Sequence, residues 1–130
     1  MRYFVLCFLI GAPALAETPM TGTEFDDYTR DKTFYFAEGG RPYGGEEYFD
    51  NRRVRWSFLD GKCKDGIWYE DAGHICFVYE DTPDPQCWSF FKRSHGLEAR
   101  FEGGGDGATV LYESRQSEKP MICHGPDVGV

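Results

Sequence analysis

Along most of this chain apolar and polar residues alternate with a period of two, the spacing of strands that bury one face. Arg53 to Phe58 is the cleanest case. There Val54, Trp56 and Phe58 point one way, and Arg53, Arg55 and Ser57 the other. The same pattern predicts strands over Thr33–Ala37, Tyr43–Phe49, Gly66–Glu70, His74–Tyr79, Gln86–Lys92, Leu97–Phe101 and Ala108–Ser114. Gly44 and Gly45 weaken the second of these and read as bends or bulges in a curved sheet. Turn-forming runs separate the strands, among them Gly39-Gly40-Arg41-Pro42, Asp50-Asn51, Asp71-Ala72-Gly73, Glu80 to Pro85 and Glu102 to Gly107. About eight short strands in consecutive hairpins predict an all-β fold, a small antiparallel up-and-down β-barrel. Closure would remove the strand edges that invite aggregation.

One segment breaks the period. Thr21 stands three residues before Glu24, the spacing of a reciprocal capping box, and Met20 and Phe25 occupy the positions of a hydrophobic staple. Phe25 and Tyr28 then share one face of a helix expected over Gly22 to Arg30. A helix this short is not stable alone. It is expected to cap one end of the barrel, with Phe25 and Tyr28 as the plug.

Gly61 to Arg93 carries three of the five cysteines and two of the three tryptophans, and reads as a three-stranded meander at the centre of the fold. Trp56, Trp68 and Trp88 are expected to serve the aromatic core. With 11 Phe, 8 Tyr and 3 Trp, there is enough ring volume to fill a small barrel, so a roomy pocket does not follow from the fold.

Met1 to Ala16 has the form of a secretory leader: Arg2, an apolar run from Tyr3 to Ile10, and a small-x-small site at Ala14-Leu15-Ala16. The run is shorter than the roughly 20 residues that span a bilayer. The expected product is a single domain over residues 17–130, periplasmic or secreted, with no membrane attachment after cleavage. Cys7 would leave with the leader. Cys63, Cys76, Cys87 and Cys123 remain, an even set that in a small exported domain reads as two disulfides. Zinc is the competing use, but no C-x₂-C pair occurs. Four cysteines allow three pairings. If the loop after the fifth strand runs from Tyr79 to Asp84, Val78 faces Pro85 and Cys76 falls opposite Cys87, which leaves Cys63 for Cys123. Cys63 with Cys76 is the alternative. A turn at Asp71-Ala72-Gly73, with Glu70 facing His74, would instead put Cys63 opposite Asp81.

The net charge of the whole chain is −8, and loss of Arg2 with the leader makes it one more negative. Nucleic acid and anionic membranes would repel such a protein, whereas a cationic partner is permitted.

In Met20-Thr21-Gly22-x-Glu24, Gly66-x-Trp68, Ile75-Cys76-Phe77 and Cys87-Trp88 the chain resembles a group of small secreted proteins of alphaproteobacteria. The likeness covers Thr21 to Arg93. It implies a lipocalin-like β-barrel in the periplasm and carries no assigned activity. Gly-x-Trp is also similar to a lipocalin motif, which there lies on the first strand and here falls near the fourth.

No catalytic residue set emerges. His74, His95 and His124 lack the i, i+2 or i, i+4 spacing of metal ligands, and Ser94-His95 is an adjacent pair in a turn. The acid pairs Asp26-Asp27, Glu46-Glu47, Glu70-Asp71 and Glu80-Asp81 are sequence neighbours, which on a strand point to opposite faces. Glu102 to Gly107 lacks the alternating oxygen ligands of a calcium loop, and the Gly pairs do not precede a helix as a phosphate cradle would. No metal or cofactor is therefore expected. The expectation is a monomeric, non-catalytic binding module for an unknown small ligand. The alternative is an acidic interaction or inhibitor protein that meets a cationic protein, as do small periplasmic barrels that inhibit lysozyme.

Overall fold

The computed structural model describes residues 10–12 and 17–124, apart from the side chain of Asp106. Most of the predicted leader, with its cleavage site and Cys7, lies outside the described residues. One helix, α1 (Gly22–Thr29), precedes eight strands: β1 (Thr33–Glu38), β2 (Arg41–Tyr48), β3 (Arg53–Ser57), β4 (Lys64–Asp71), β5 (His74–Tyr79), β6 (Thr82–Arg93), β7 (Gly96–Phe101) and β8 (Val110–Ser117). Each strand pairs antiparallel with the next, and β1 pairs with β8, so the sheet is a closed up-and-down barrel. The fold class read from alternation is the one observed.

The capping box forms at α1. The Glu24 amide donates to Thr21 Oγ1 at 3.2 Å, and the Thr21 amide to Glu24 Oε1 at 3.0 Å. The helix lies across one end of the barrel and sends Phe25 inside, where the side chain is wholly buried. The rings of Tyr48, Trp68, Phe77 and Phe90 surround it, with centroids 4.5 to 6.3 Å away. Tyr28 stays at the rim rather than in the plug: it packs on Phe34, and its hydroxyl donates to the Glu113 carboxylate. Glu70 on β4 accepts from the Gly22 amide and ties the start of the helix down. The Arg52 guanidinium covers the Trp68 ring at 4.4 Å. This end is closed.

Two turns depart from expectation. Asp71 pairs with His74, so the β4–β5 turn is Ala72-Gly73 alone, with φ of 48° and 82°. Residues with positive φ suit the primed two-residue turns of hairpins. The β5–β6 turn is equally short. Tyr79 pairs with Thr82, and Phe77 with Gln86, so Pro83 to Pro85 lie on β6 within an irregular stretch of ladder. Proline has no N–H to donate and suits such a break. Val78 therefore does not face Pro85 in a regular ladder, yet Cys76 still falls opposite Cys87.

Both expected cysteine pairs stand at disulfide distance, Cys76 with Cys87 and Cys63 with Cys123, with Cα separations of 3.9 and 5.6 Å. Residues 118–124 run along the outside of β2 as a strap. Thr33 Oγ1 donates to the Lys119 carbonyl, the Met121 amide to Glu47 Oε1, and the His124 amide to the Gly61 carbonyl. The strap thus starts near the closed end and finishes at the β3–β4 loop of the other. Two disulfides fit an oxidising compartment. No helix among the described residues is long and apolar enough to cross a membrane.

Candidate functional site

The end of the barrel opposite α1 is where polar chemistry enters the core. Cross-strand pairing sets Phe34 (β1) opposite Glu46 (β2), Glu46 opposite Trp56 (β3), and Trp56 opposite Lys64 (β4). Directly opposed residues share a face. Here that face is the interior, because Phe34 and Trp56 belong to the core. A carboxyl and an ammonium are thereby carried inward on either side of one indole. Gly44 makes the arrangement possible: a Cβ there would lie 2.3 Å from Trp56 Cζ2. The glycine read as a bend is thus also the space into which the indole fits.

Glu46 is fully buried, at 2% exposure. Tyr79 O–H donates to Oε1 at 2.8 Å. Oε2 has no hydrogen-bond partner, the one such buried side-chain atom among the described residues. Burial pushes the carboxyl up to about 8, partly offset by the bond from Tyr79 and the charge of Lys64. Burial raises the Tyr48 and Tyr79 phenols too, reinforced by the nearby Glu46. Lys64 Nζ does not relieve Oε2. It lies 3.4 Å from Asp81 Oδ1 and 4.8 Å from the centre of the Tyr79 ring.

Glu46 lines a cavity of about 50 Å³ walled by Tyr43, Tyr48, Trp56, Phe77, Tyr79 and Trp88, with Lys64 and Phe58 toward the mouth. A volume near 10–15 Å³ suffices for one water centre, so there is room for a few small groups. Drug-sized ligands need pockets of roughly 300 Å³ or more. The aromatic residues do fill most of the barrel, as the composition suggests. Outside, a shallower groove of about 220 Å³ shares Trp56, Phe58 and Lys64 with the cavity and continues over Ser57, Asp60, Lys62 and Cys63. Phe58 lies beyond the end of β3 and is 55% exposed, so the third apolar residue of that strand's pattern is a lip of the mouth.

The residues singled out in the sequence divide between the two ends. Trp56 and Trp88 line the cavity, while Phe25 and Trp68 seal the closed end. The Cys63–Cys123 bridge sits at the mouth, where Cys63 lines the groove. Cys76 and Cys87 lie on the outer side of the sheet, since Ile75 and Phe77 on either side of Cys76 face the core, and Cys76 is nonetheless buried there. Glu46, Tyr79 and Lys64 are the additions that structure makes. The signal for Glu46 was in reach: it is two residues from Tyr48, hence on the same face of the strand, and that face is inward.

A second polar cluster joins His74, Ser89 and Glu102 on the outer surface. Ser89 Oγ donates to Glu102 Oε1 at 2.5 Å, and His74 Nε2 lies 3.7 Å from the same oxygen. The acid stands between serine and histidine, so the imidazole is not placed to take the serine proton as nucleophilic catalysis requires. Among the described residues, no three His, Cys, Asp or Glu side chains are grouped to hold a metal ion. No protein-family model, no curated protein and no solved structure matches the chain.

Proposed function

We propose that this chain is a non-catalytic, exported binding module that receives a small ligand at the open end of its barrel. The unpartnered Oε2 of Glu46 carries the reading. A carboxyl oxygen that is buried without a hydrogen bond typically costs about 1–3 kcal/mol. It lines a small aromatic cavity that communicates with the surface, so an incoming donor can satisfy it. The two disulfides and the leader-like start of the sequence support an exported setting. The likeness to small secreted proteins of alphaproteobacteria agrees with the periplasm.

Native mass spectrometry of the protein purified from the cells that export it tests this reading. A retained non-covalent mass that is lost when Ala99, a small residue of the cavity wall, is enlarged to Leu is expected. Ligand-free protein, together with no binding across a panel of small amines, alcohols and acids, would overturn it.

A second reading rests on the charge of −8, which suits a cationic protein partner. Ionic strength separates the two. Association of charged surfaces weakens steeply with added salt, whereas capture in a buried cavity is screened far less.

A further inference from the structure

We infer that the cavity at the open end is a site for a small primary ammonium ion, its N–H groups donated to Glu46 Oε2 and its charge held among the rings of Tyr43, Trp56 and Tyr79. This rests on the reading of the open end as a ligand site and names the chemistry of the ligand. Three observations point the same way. The free atom is a carboxyl oxygen that is purely an acceptor once the carboxyl ionises, so the partner that would hold the ionised form is a donor. The wall around it is aromatic, and ring faces carry the negative side of their quadrupole toward a cation. The cavity of about 50 Å³ admits an ammonium head with a carbon attached but not a trimethylammonium cage ligand, which would also bring no N–H. The stem of the ligand would leave past Phe58 into the outer groove.

Lys64 is the internal competitor, a cation at the same mouth. Its ammonium is already engaged by Asp81 and by the Tyr79 ring, and it leaves Oε2 unpaired. An anionic ligand seated on Lys64 would place its charge beside Glu46 and against ring faces, which is repulsive on both counts. The titratable groups that line the cavity with Glu46 are Tyr43 and Tyr48 from β2, Lys64 from β4 and Tyr79 from β5. The three phenols are raised and stay neutral through mildly alkaline pH. Burial also holds Glu46 largely protonated in the empty cavity at neutral pH. A cation must therefore displace that proton to bind. The ammonium keeps its own proton throughout, and one proton leaves the carboxyl for solvent.

The test is calorimetric titration of the oxidised protein with n-butylammonium, with n-butanol as neutral isostere and tetramethylammonium as a cation without N–H. n-Butylammonium is expected to bind at least tenfold more tightly than either control. Its affinity should rise by about tenfold per pH unit from pH 6 to 8 and level off above, with proton release seen as a buffer-dependent heat. Glu46→Gln should weaken it at least tenfold and abolish the pH slope. Lys64→Met, which removes the competing charge, should tighten it. Nα-acetyl-lysine amide carries the same head on a lysyl stem. Binding of butylammonium alone assigns the site to free amines, and binding of both extends it to lysine side chains of a protein. Equal binding of butanol and butylammonium, or an affinity that is flat in pH, overturns the ammonium inference while the binding-module reading stands. No binding of any of the three probes also overturns it. A retained mass in the native spectrum would then show that the module binds something of other chemistry.

Discussion

At one end of the barrel a phenylalanine is ringed by four aromatic side chains; at the other a glutamate has one partner for two oxygens. Both groups are buried to nearly the same degree. What differs is how completely the surroundings answer them. The closed end is a packed junction in which α1 caps the barrel and Phe25 fills the space beneath it. The open end gives up stability at Glu46 and keeps a small space beside it, which is the usual trade between a stable core and a site that does something.

Four changes would sharpen or break this contrast. The largest effect is expected at the plug: Phe25→Ala should destabilise by about 3–5 kcal/mol in denaturant unfolding, as for other fully buried rings. A loss under about 0.5 kcal/mol, typical of surface sites, would show that the two ends do not differ. Next come the bridges. In the chain-entropy model, removing Cys63–Cys123, with a separation of 60 residues, costs about 4 kcal/mol, and removing Cys76–Cys87, with a separation of 11, about 3. Paired serine substitutions compared by thermal unfolding check the order.

The third change is pH. Glu46 is raised from the ordinary glutamate value of 4.5 to about 8, so folding favours its protonated form. That contribution is fully present below the unfolded value and is lost as pH rises through the folded one. Stability of the wild type relative to Glu46→Gln should therefore fall as pH rises between about 4.5 and 8 and flatten above. A flat difference across that range would mean that water or Lys64 already satisfies the carboxylate. The smallest effect belongs to Phe58→Ala. At the exposed lip it should change stability by under about 0.5 kcal/mol, against the several lost at Phe25. A large loss there would turn the mouth into a second sealed end.

The barrel was legible because alternation is a strong signal wherever one face is buried. All eight predicted strands occur, and Cys76 meets Cys87. The boundaries failed where local chemistry misled. Pro83 and Pro85 read as turn residues, but an irregular ladder can hold prolines inside a strand. Tyr28 shares a helix face with Phe25, yet one helical turn is enough to carry it from the interior to the rim. The candidate site was the least legible part. Two neighbouring glutamates look like a solvated pair, and the period of two that ties Glu46 to Tyr48 is easily passed over where glycines interrupt the strand. Glu46 then faces the cavity, while Glu47 faces outward and holds the strap through the Met121 amide. The distance that sets Lys64 on Asp81 rather than on Glu46 depends on side-chain packing that no periodicity encodes.

The strap also constrains the order of events during biogenesis. A chain that enters an oxidising compartment N-terminus first brings residues 76 and 87 together as a hairpin before β7 and β8 arrive. Cys63 has to wait: its partner follows β8, the strand that also pairs with β1 and closes the sheet. During that interval Cys63 would be a thiol without its partner in a chain whose hairpin pair can already close, the condition under which thiol–disulfide exchange can scramble partners. The inward-facing rows of the nascent sheet meanwhile lack their final neighbour. Slow delivery of the last strand would thus prolong exposure to both mispairing and self-association, and a disulfide isomerase would find its substrate in this chain before the eighth strand arrives, not after.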